Sequence, residues 1–164
     1  MIRLLLPLAA LVSAFGPAIA RDRLDVAGTI ALTADAAAAP VMGPDGRPLF
    51  IGTSHGTNQS AGKTEFMSGA EVASADTASL VDGNGAHHGY ITMSKGGDRV
   101  VFKWSGQVTT VMGPDKKPSS TFKGMWTALS GGGKYAKASG GGSYTGRFTS
   151  STASVIEWTG SLNP

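Results

Sequence analysis

Apolar and polar residues alternate along most of this chain, with the two-residue period that is typical of β-strands. The longest alternating run is residues 99–111, where one parity carries Val100, Phe102, Trp104, Gly106 and Val108. Successive side chains of a strand point to opposite faces of a sheet, so this parity predicts the packed face of a strand. Residues 25–33 and 87–94 follow the same rule, and the last strand is predicted around residues 156–162.

Residues 122–148 repeat the alternation on both sides of a glycine-flanked connection. The residues that share one face of this segment are Phe122, Gly124, Trp126 and Ala128 before the connection and Tyr144, Gly146 and Phe148 after it. The connection is too long for a tight turn and too short for a crossover helix, so it predicts an antiparallel pair. We expect at most one helical turn in it, at residues 134–138.

Turn sequences separate these strands. Residues 41–48 and 111–118 are near copies of each other, with Pro-Asp-Gly in the first and Pro-Asp-Lys in the second. Both suit type I turns and predict hairpin ends. This shared turn chemistry explains the repeated sequence better than a duplication of half of the chain does. Further predictions are hairpin turns at 82–85 and 95–98, short strands at 49–53, 64–67, 70–73 and 78–81, and a linker at 34–40.

The strands number about eight, and four of them carry a glycine on the apolar face. Glycine lets a strand bend sharply at a barrel corner, and closure removes the exposed edges of a sheet. The sequence therefore predicts one all-β domain over residues 21–164, folded as a closed antiparallel eight-stranded barrel. The 24 glycines and 8 prolines agree with many turns rather than long helices.

Residues 1–20 have the pattern of a secretory signal peptide. A basic start at Arg3 precedes a short apolar run, and a small-x-small site predicts cleavage after Ala20. The run is too short for a stable membrane span. We therefore expect a periplasmic or secreted protein with no membrane span after cleavage, and an exported protein that retained Met1 in mass spectrometry would contradict this.

The charge and the cysteine content narrow the chemistry. Loss of Arg3 would lower the formal net charge from +3 to +2, and no basic stripe is interleaved with aromatic residues, so nucleic acid is not a predicted partner. Cysteine is absent, which excludes disulfides and thiolate chemistry. With the carboxylates scattered as well, we predict no metal site and no cofactor.

A glycine and tyrosine signature gives a family resemblance. It consists of Gly124-Met125-Trp126, Ser130-Gly131-Gly132-Gly133-Lys134-Tyr135-Ala136 and Ser139-Gly140-Gly141-Gly142-Ser143-Tyr144. This run resembles the strand, loop and strand signature of the allene oxide cyclase-like and dirigent-like barrels. The resemblance implies a calycin-like, eight-stranded barrel with an inner cavity, often a homotrimer. Named members cyclise unstable lipid epoxides or direct radical coupling of phenols, but no catalytic residue of theirs matches a position here.

Two further segments resemble phosphate-binding loops without their spacing. Residues 56–64 have five residues between the glycines instead of four, and Gly133-Lys134 is followed by Tyr135 where Ser or Thr would bind the metal. Neither is predicted to bind a nucleotide. His87 and His88 are adjacent on a predicted strand, so they point to opposite faces and do not chelate one metal from one side.

Candidate site residues follow from side-chain chemistry. The catalytic candidates are His88, Tyr90, Glu65 and Glu157. The ligand-binding candidates are Trp104, Trp126 and Tyr144, aromatic residues that suit a core as well as a ligand platform. Parity alone leaves open whether the apolar or the polar face lines the cavity.

Three functions remain open at this point. The first is an exported barrel that binds a small apolar or amphipathic ligand or an envelope partner. The second is a cofactor-independent isomerase or cyclase that acts in the cavity. The third is a structural secreted protein without a pocket. An apolar cavity without titratable groups would favour the ligand-binding or partner-binding barrel. A cavity with a buried His or Glu beside Tyr90 would favour the isomerase or cyclase. A filled interior would favour the structural protein.

Overall fold

The computed structural model describes residues 23–37 and 39–164, and these residues form an all-β fold. The strands, in chain order, are β1 Leu24–Ala34, β2 Pro40–Met42, β3 Pro48–Ser60, β4 Ala70–Val81, β5 Asn84–Lys95, β6 Asp98–Met112, β7 Pro118–Gly132, β8 Ser139–Phe148 and β9 Ala153–Asn163. A 3₁₀ turn, Gly133–Tyr135, lies between β7 and β8. The predicted signal peptide, residues 1–20, lies outside the described residues and stays a prediction.

Eight of these strands close into an antiparallel barrel. From β3 to β9 each strand pairs with the next along the chain, and β1 pairs with both β9 and β3. The short strand β2 pairs with positions 48–50 at the start of β3. The predicted all-β class and the closed eight-stranded barrel are therefore confirmed.

The apolar parity of the strands faces the barrel interior. On β6, Val100, Phe102 and Val108 are buried, whereas Lys103 and Gln107 on the other parity are exposed. The same division runs through β1, β5, β7, β8 and β9. The core thus consists of every second side chain of these strands, which is the arrangement expected for a small barrel.

The loop between β3 and β4 closes one end of the barrel. Its Phe66 is fully buried and packs edge-on against three rings, with centroid distances of 6.5 Å to Phe102, 5.2 Å to Tyr135 and 5.8 Å to Trp158. We call this loop, residues 61–69, the plug.

Asn58 on β3 holds the plug to the barrel. Its amide nitrogen donates to the carbonyl oxygens of Phe66 and Met67 at 3.1 and 3.0 Å. Its Oδ1 accepts a hydrogen bond from the indole nitrogen of Trp158 at 2.9 Å. The side chain is completely buried, so all its polar atoms depend on these partners.

Several boundaries differ from the sequence predictions. The predicted strand at 64–67 is wrong, because this segment belongs to the plug: Phe66 and Met67 are both buried, and Met67 has a φ of 50°. The short strands at 49–53, 70–73 and 78–81 are parts of the longer strands β3 and β4. The helical turn expected at 134–138 is a 3₁₀ turn that starts one residue earlier.

The two near copies are hairpin ends, as predicted. In the first, the Gly43 amide donates to the Arg47 carbonyl at 2.9 Å, and Asp45 Oδ1 accepts from the Arg47 amide at 3.1 Å. In the second, Gly113 and Asp115 make the equivalent bonds with Lys117 at 2.8 and 3.2 Å. The same turn chemistry therefore explains the repeated sequence.

Candidate functional site

The interior of the barrel contains a cavity of about 140 Å³. Seven aromatic side chains line it: Phe102, Trp104, Phe122, Trp126, Tyr144, Phe148 and Trp158. They come from β6, β7, β8 and β9, on the apolar parity that the sequence indicates. The three tryptophans of the chain are all among them.

Glycines on the inner face leave room for these rings. A methyl group on Gly106 or on Gly124 would lie 2.5 Å from the hydroxyl oxygen of Tyr144. The tyrosine ring can therefore lie across both strands only because neither position has a side chain. This close approach is a second use of inner-face glycines, in addition to strand bending.

His87 and Tyr144 form a hydrogen-bonded pair in the wall of the cavity. The Nε2 atom of His87 lies 3.1 Å from the Tyr144 hydroxyl oxygen, and the imidazole is 7% exposed. The imidazole packs edge-on against Trp104 and Phe122, with centroid distances of 4.8 and 5.4 Å. The pair is thus a polar group set into an aromatic wall.

Burial favours the neutral form of both members of this pair. Desolvation, and to a smaller extent the neighbouring His88, lowers the pKa of His87 to about 4. Desolvation raises the pKa of Tyr144 well above its ordinary value. Proton transfer is most efficient when the pKa of the group lies near the working pH, so this pair is better suited to hydrogen bonding than to acid and base catalysis at pH 7.

The opposite wall, from β3 and β4, is more polar. Ser54 and Ser74 are register partners on these strands, and Asp76 is two residues from Ser74 on the same face. Burial raises the pKa of the Asp76 carboxyl. All three residues line the cavity, which is therefore amphipathic, with an aromatic side and a side of oxygen atoms.

Trp104 connects the two sides. Asp76 and Trp104 both pair with Gly89, one from β4 and one from β6, so they flank this glycine on the inner face. The indole nitrogen of Trp104 is buried and has no hydrogen-bond partner in the described part of the chain. A buried unpaired donor is costly, so this indole nitrogen is a local weak point in the cavity wall.

The four catalytic candidates lie on the outer surface and are not brought together. His88 points outward and lies 3.0 Å from the Thr77 hydroxyl, and Tyr90, on the same strand, is half exposed. Glu157 is exposed on β9, and Glu65 is exposed in the plug. The ligand-binding candidates behave differently, since Trp104, Trp126 and Tyr144 all line the cavity.

The sequence reasoning missed His87 and Asp76 as cavity residues. The signal for His87 was present, because it shares its parity with Ile91 and Met93, the apolar face of β5. Asp76 has no such signal, because it lies between the two short strands predicted at 70–73 and 78–81, which are one strand in the structure. His87 is the buried histidine of the described residues, and it pairs with Tyr144 on the inner face, whereas Tyr90 lies on the outer face of β5.

A pH dependence of stability follows from His87. An unfolded histidine takes up a proton near pH 6.5, whereas folded His87 does so only near pH 4. A lowered folded pKa means that the unfolded state binds more protons between these values. We expect the titration of His87 to lower the free energy of unfolding by about 1–3 kcal/mol as the pH falls from 7 to 4, after allowance for solvent screening.

Unfolding by urea at several pH values, on the natural protein and His87→Gln, measures this effect. The difference between the two proteins isolates His87, because Asp76, whose raised pKa acts with the opposite sign in the same range, is common to both. His88→Gln is the matched control and should keep most of the dependence. Parallel stability curves for the natural protein and His87→Gln would contradict the prediction.

Fold and site define the class of protein: a small closed barrel of eight antiparallel strands with an amphipathic, mostly aromatic cavity. No protein-family model, curated protein or solved structure matches the chain. Within residues 23–37 and 39–164, no helix is long and apolar enough to cross a membrane. In the same residues, no three His, Asp or Glu side chains are grouped as a metal site would require.

Proposed function

We propose that the protein binds one small, mostly apolar ligand inside the barrel. The observation that carries this proposal is the cavity of about 140 Å³ with its aromatic wall. Apolar surface and convergent polar groups in one concave site are the usual features of a ligand pocket. Here the polar groups are the His87 and Tyr144 pair on one side and the Ser54, Ser74 and Asp76 side chains on the other.

The volume limits the size of the ligand. Pockets for drug-sized molecules measure roughly 300–1,000 Å³, and an engineered cavity of roughly 150 Å³ binds benzene. The cavity here, at about 140 Å³, therefore suits a single ring or a short chain. Such a molecule would contact aromatic rings on one side and hydroxyl and carboxyl oxygens on the other.

An isomerase or cyclase in the same cavity is the second candidate, because His87 and Tyr144 offer two hydrogen-bonding groups beside the ligand. The pKa of His87, at about 4, makes it a weak base, which favours binding over catalysis. A purely structural protein is less favoured, since its interior would be filled. Chemical conversion of the bound molecule during a binding experiment would favour an isomerase or cyclase over a binding protein.

Intrinsic fluorescence offers a direct binding assay, because all three tryptophans line the cavity. We expect small apolar single-ring probes such as toluene and benzene to change the emission of the natural protein saturably. Ser74→Leu, which places an isobutyl group in the cavity, should weaken probe binding at least tenfold. Ala75→Leu adds the same group to the exposed face of the same strand and should leave binding unchanged.

Thermal unfolding of both variants checks that the barrel is intact. A natural protein that showed no saturable response to any of the probes would contradict ligand binding in the cavity. So would equal probe affinity in Ser74→Leu and Ala75→Leu, because the ligand would then lie elsewhere.

We also propose that the barrel is of the allene oxide cyclase-like kind and that it is exported. The support for the family is the glycine and tyrosine signature, whose residues lie on β7, the 3₁₀ turn and β8. The support for export is the pattern of residues 1–20. Light scattering of the mature protein tests the trimer that the family resemblance implies, and a monomer mass would contradict it.

A further inference from the structure

We infer that the cavity selects ligands that carry an ammonium group, with Asp76 as the counter-ion of the ligand. This inference rests on the proposed ligand binding and names the chemical class of the ligand. The expected molecule is a small primary amine with one ring or a short chain, which places its apolar part against the aromatic wall and its charge beside Asp76.

Asp76 is the carboxylate that the cavity leaves without a cation. Among the described residues that line the cavity, it is the only Asp or Glu, no Lys or Arg is present, and His87 is neutral at pH 7. Its carboxyl group has no hydrogen-bond or ion-pair partner within residues 23–37 and 39–164. The other lining residues therefore leave it available to a ligand.

The surroundings of Asp76 match the hydrogen bonds of a primary ammonium group. An ammonium group has three N–H donors and no acceptor. The Asp76 carboxylate and the hydroxyls of Ser54 and Ser74 supply acceptor oxygens on one patch of the inner face, on adjacent positions of β3 and β4. A neutral apolar molecule would leave these oxygens without such donors.

The aromatic wall favours a cation as well. The faces of Trp, Tyr and Phe rings attract positive charge, and the attraction is larger where water is excluded. Trp104 flanks Gly89 opposite Asp76, so the indole and the carboxylate adjoin the same part of the cavity. An aromatic wall combined with one carboxylate is an arrangement that recognises an alkyl ammonium rather than an anion.

The unpaired carboxylate makes the selectivity energetically favourable. Burial alone raises the pKa of Asp76, because its charged form is poorly solvated in the cavity wall. A bound cation would stabilise that charged form. A neutral ligand of the same shape would instead remove more water from the carboxylate and gain nothing in return.

Benzylamine and benzyl alcohol are suitable probes, because they have the same number of non-hydrogen atoms and differ in charge. Their affinities for the natural protein at pH 7.5 are measured by tryptophan fluorescence and by calorimetry. We expect the natural protein to bind benzylamine at least tenfold more tightly than benzyl alcohol. Asp76→Asn should lose this preference and keep its affinity for the alcohol, whereas Glu71→Gln, on the exposed face of β4, should keep the preference.

The outcomes separate the two proposals. Equal affinities in the natural protein, or a preference that survives Asp76→Asn, would overturn the role of Asp76 and leave ligand binding in place. Absence of binding by both probes and by toluene would overturn both proposals. The comparison on the natural protein needs no variant, so it decides the ammonium preference even if Asp76→Asn folds poorly.

Discussion

Asn58→Ala is expected to lower the free energy of unfolding by about 3–6 kcal/mol. The substitution removes two donors from the carbonyl groups of Phe66 and Met67 and the acceptor of the Trp158 indole. Asn58 is fully buried, so water does not replace these bonds without a change in packing. Each orphaned buried group costs about 1–3 kcal/mol, and the three losses are coupled rather than strictly additive.

Urea unfolding followed by circular dichroism measures this loss. Thr57→Ala is the matched control, because Thr57 is the preceding residue on β3 and points outward. It should change the stability by less than about 0.5 kcal/mol, as is usual for exposed sites. A loss for Asn58→Ala no larger than that of the control would show that the plug is not held by this side chain.

Phe66→Ala is expected to cost about 3–5 kcal/mol. The phenyl ring is fully buried, and it packs against the rings of Tyr135 and Trp158 at 5.2 and 5.8 Å. Its removal loses the free energy that is gained when the ring is transferred from water to the core. It also leaves a void that the closed barrel can fill only in part. Against a total stability of about 5–15 kcal/mol for a typical domain, this is a large fraction.

Glu65→Ala is the neighbouring control, since Glu65 is exposed in the same loop. The free energies of unfolding of the two variants, measured by thermal and urea unfolding, should differ by several kcal/mol. If Phe66→Ala were as stable as Glu65→Ala, the plug would contribute little to the core, and the closed end of the barrel would be wrongly assigned.

The barrel could be predicted because the period of two runs through most of the length of its strands, with a register shift where β6 and β7 pair near Val101 and Phe102. In β6 every second residue from Val100 to Val108 is small or apolar, and no helix pattern competes with this. The hairpin turns follow from local chemistry, as in the near-identical ends at Gly43 and Gly113. Both kinds of signal reside in short stretches of sequence, so no knowledge of distant contacts was needed.

The plug could not be predicted, because its conformation depends on contacts far along the chain. Phe66 is buried by rings from β6, the 3₁₀ turn and β9, and Asn58 bonds to Trp158, a hundred positions away. Read locally, Phe66 and Met67 resemble part of a strand. The tertiary contacts decide otherwise, as they commonly do for short apolar segments.

The site was predictable only in its aromatic part. Trp104, Trp126 and Tyr144 lie on the apolar parity, and that parity proved to be the inside of the barrel. Adjacent residues on a strand face opposite ways, so only one of His87 and His88 can face the cavity. To say which one, it is necessary to know which face of the strand is the interior. Once the apolar face is known to be the interior, His87 follows at once as the buried histidine.

Ligand binding inside the barrel is tested most directly by soaking crystals of the protein in bromobenzene and locating the bromine by its anomalous scattering. We predict a bromine peak inside the barrel, in the cavity between the aromatic wall and the Ser74 and Asp76 side, and its absence from crystals of Ser74→Leu. A well-diffracting soaked crystal with bromine only on the outer surface, or an interior filled by protein side chains, would contradict the claim that this barrel binds a small apolar ligand.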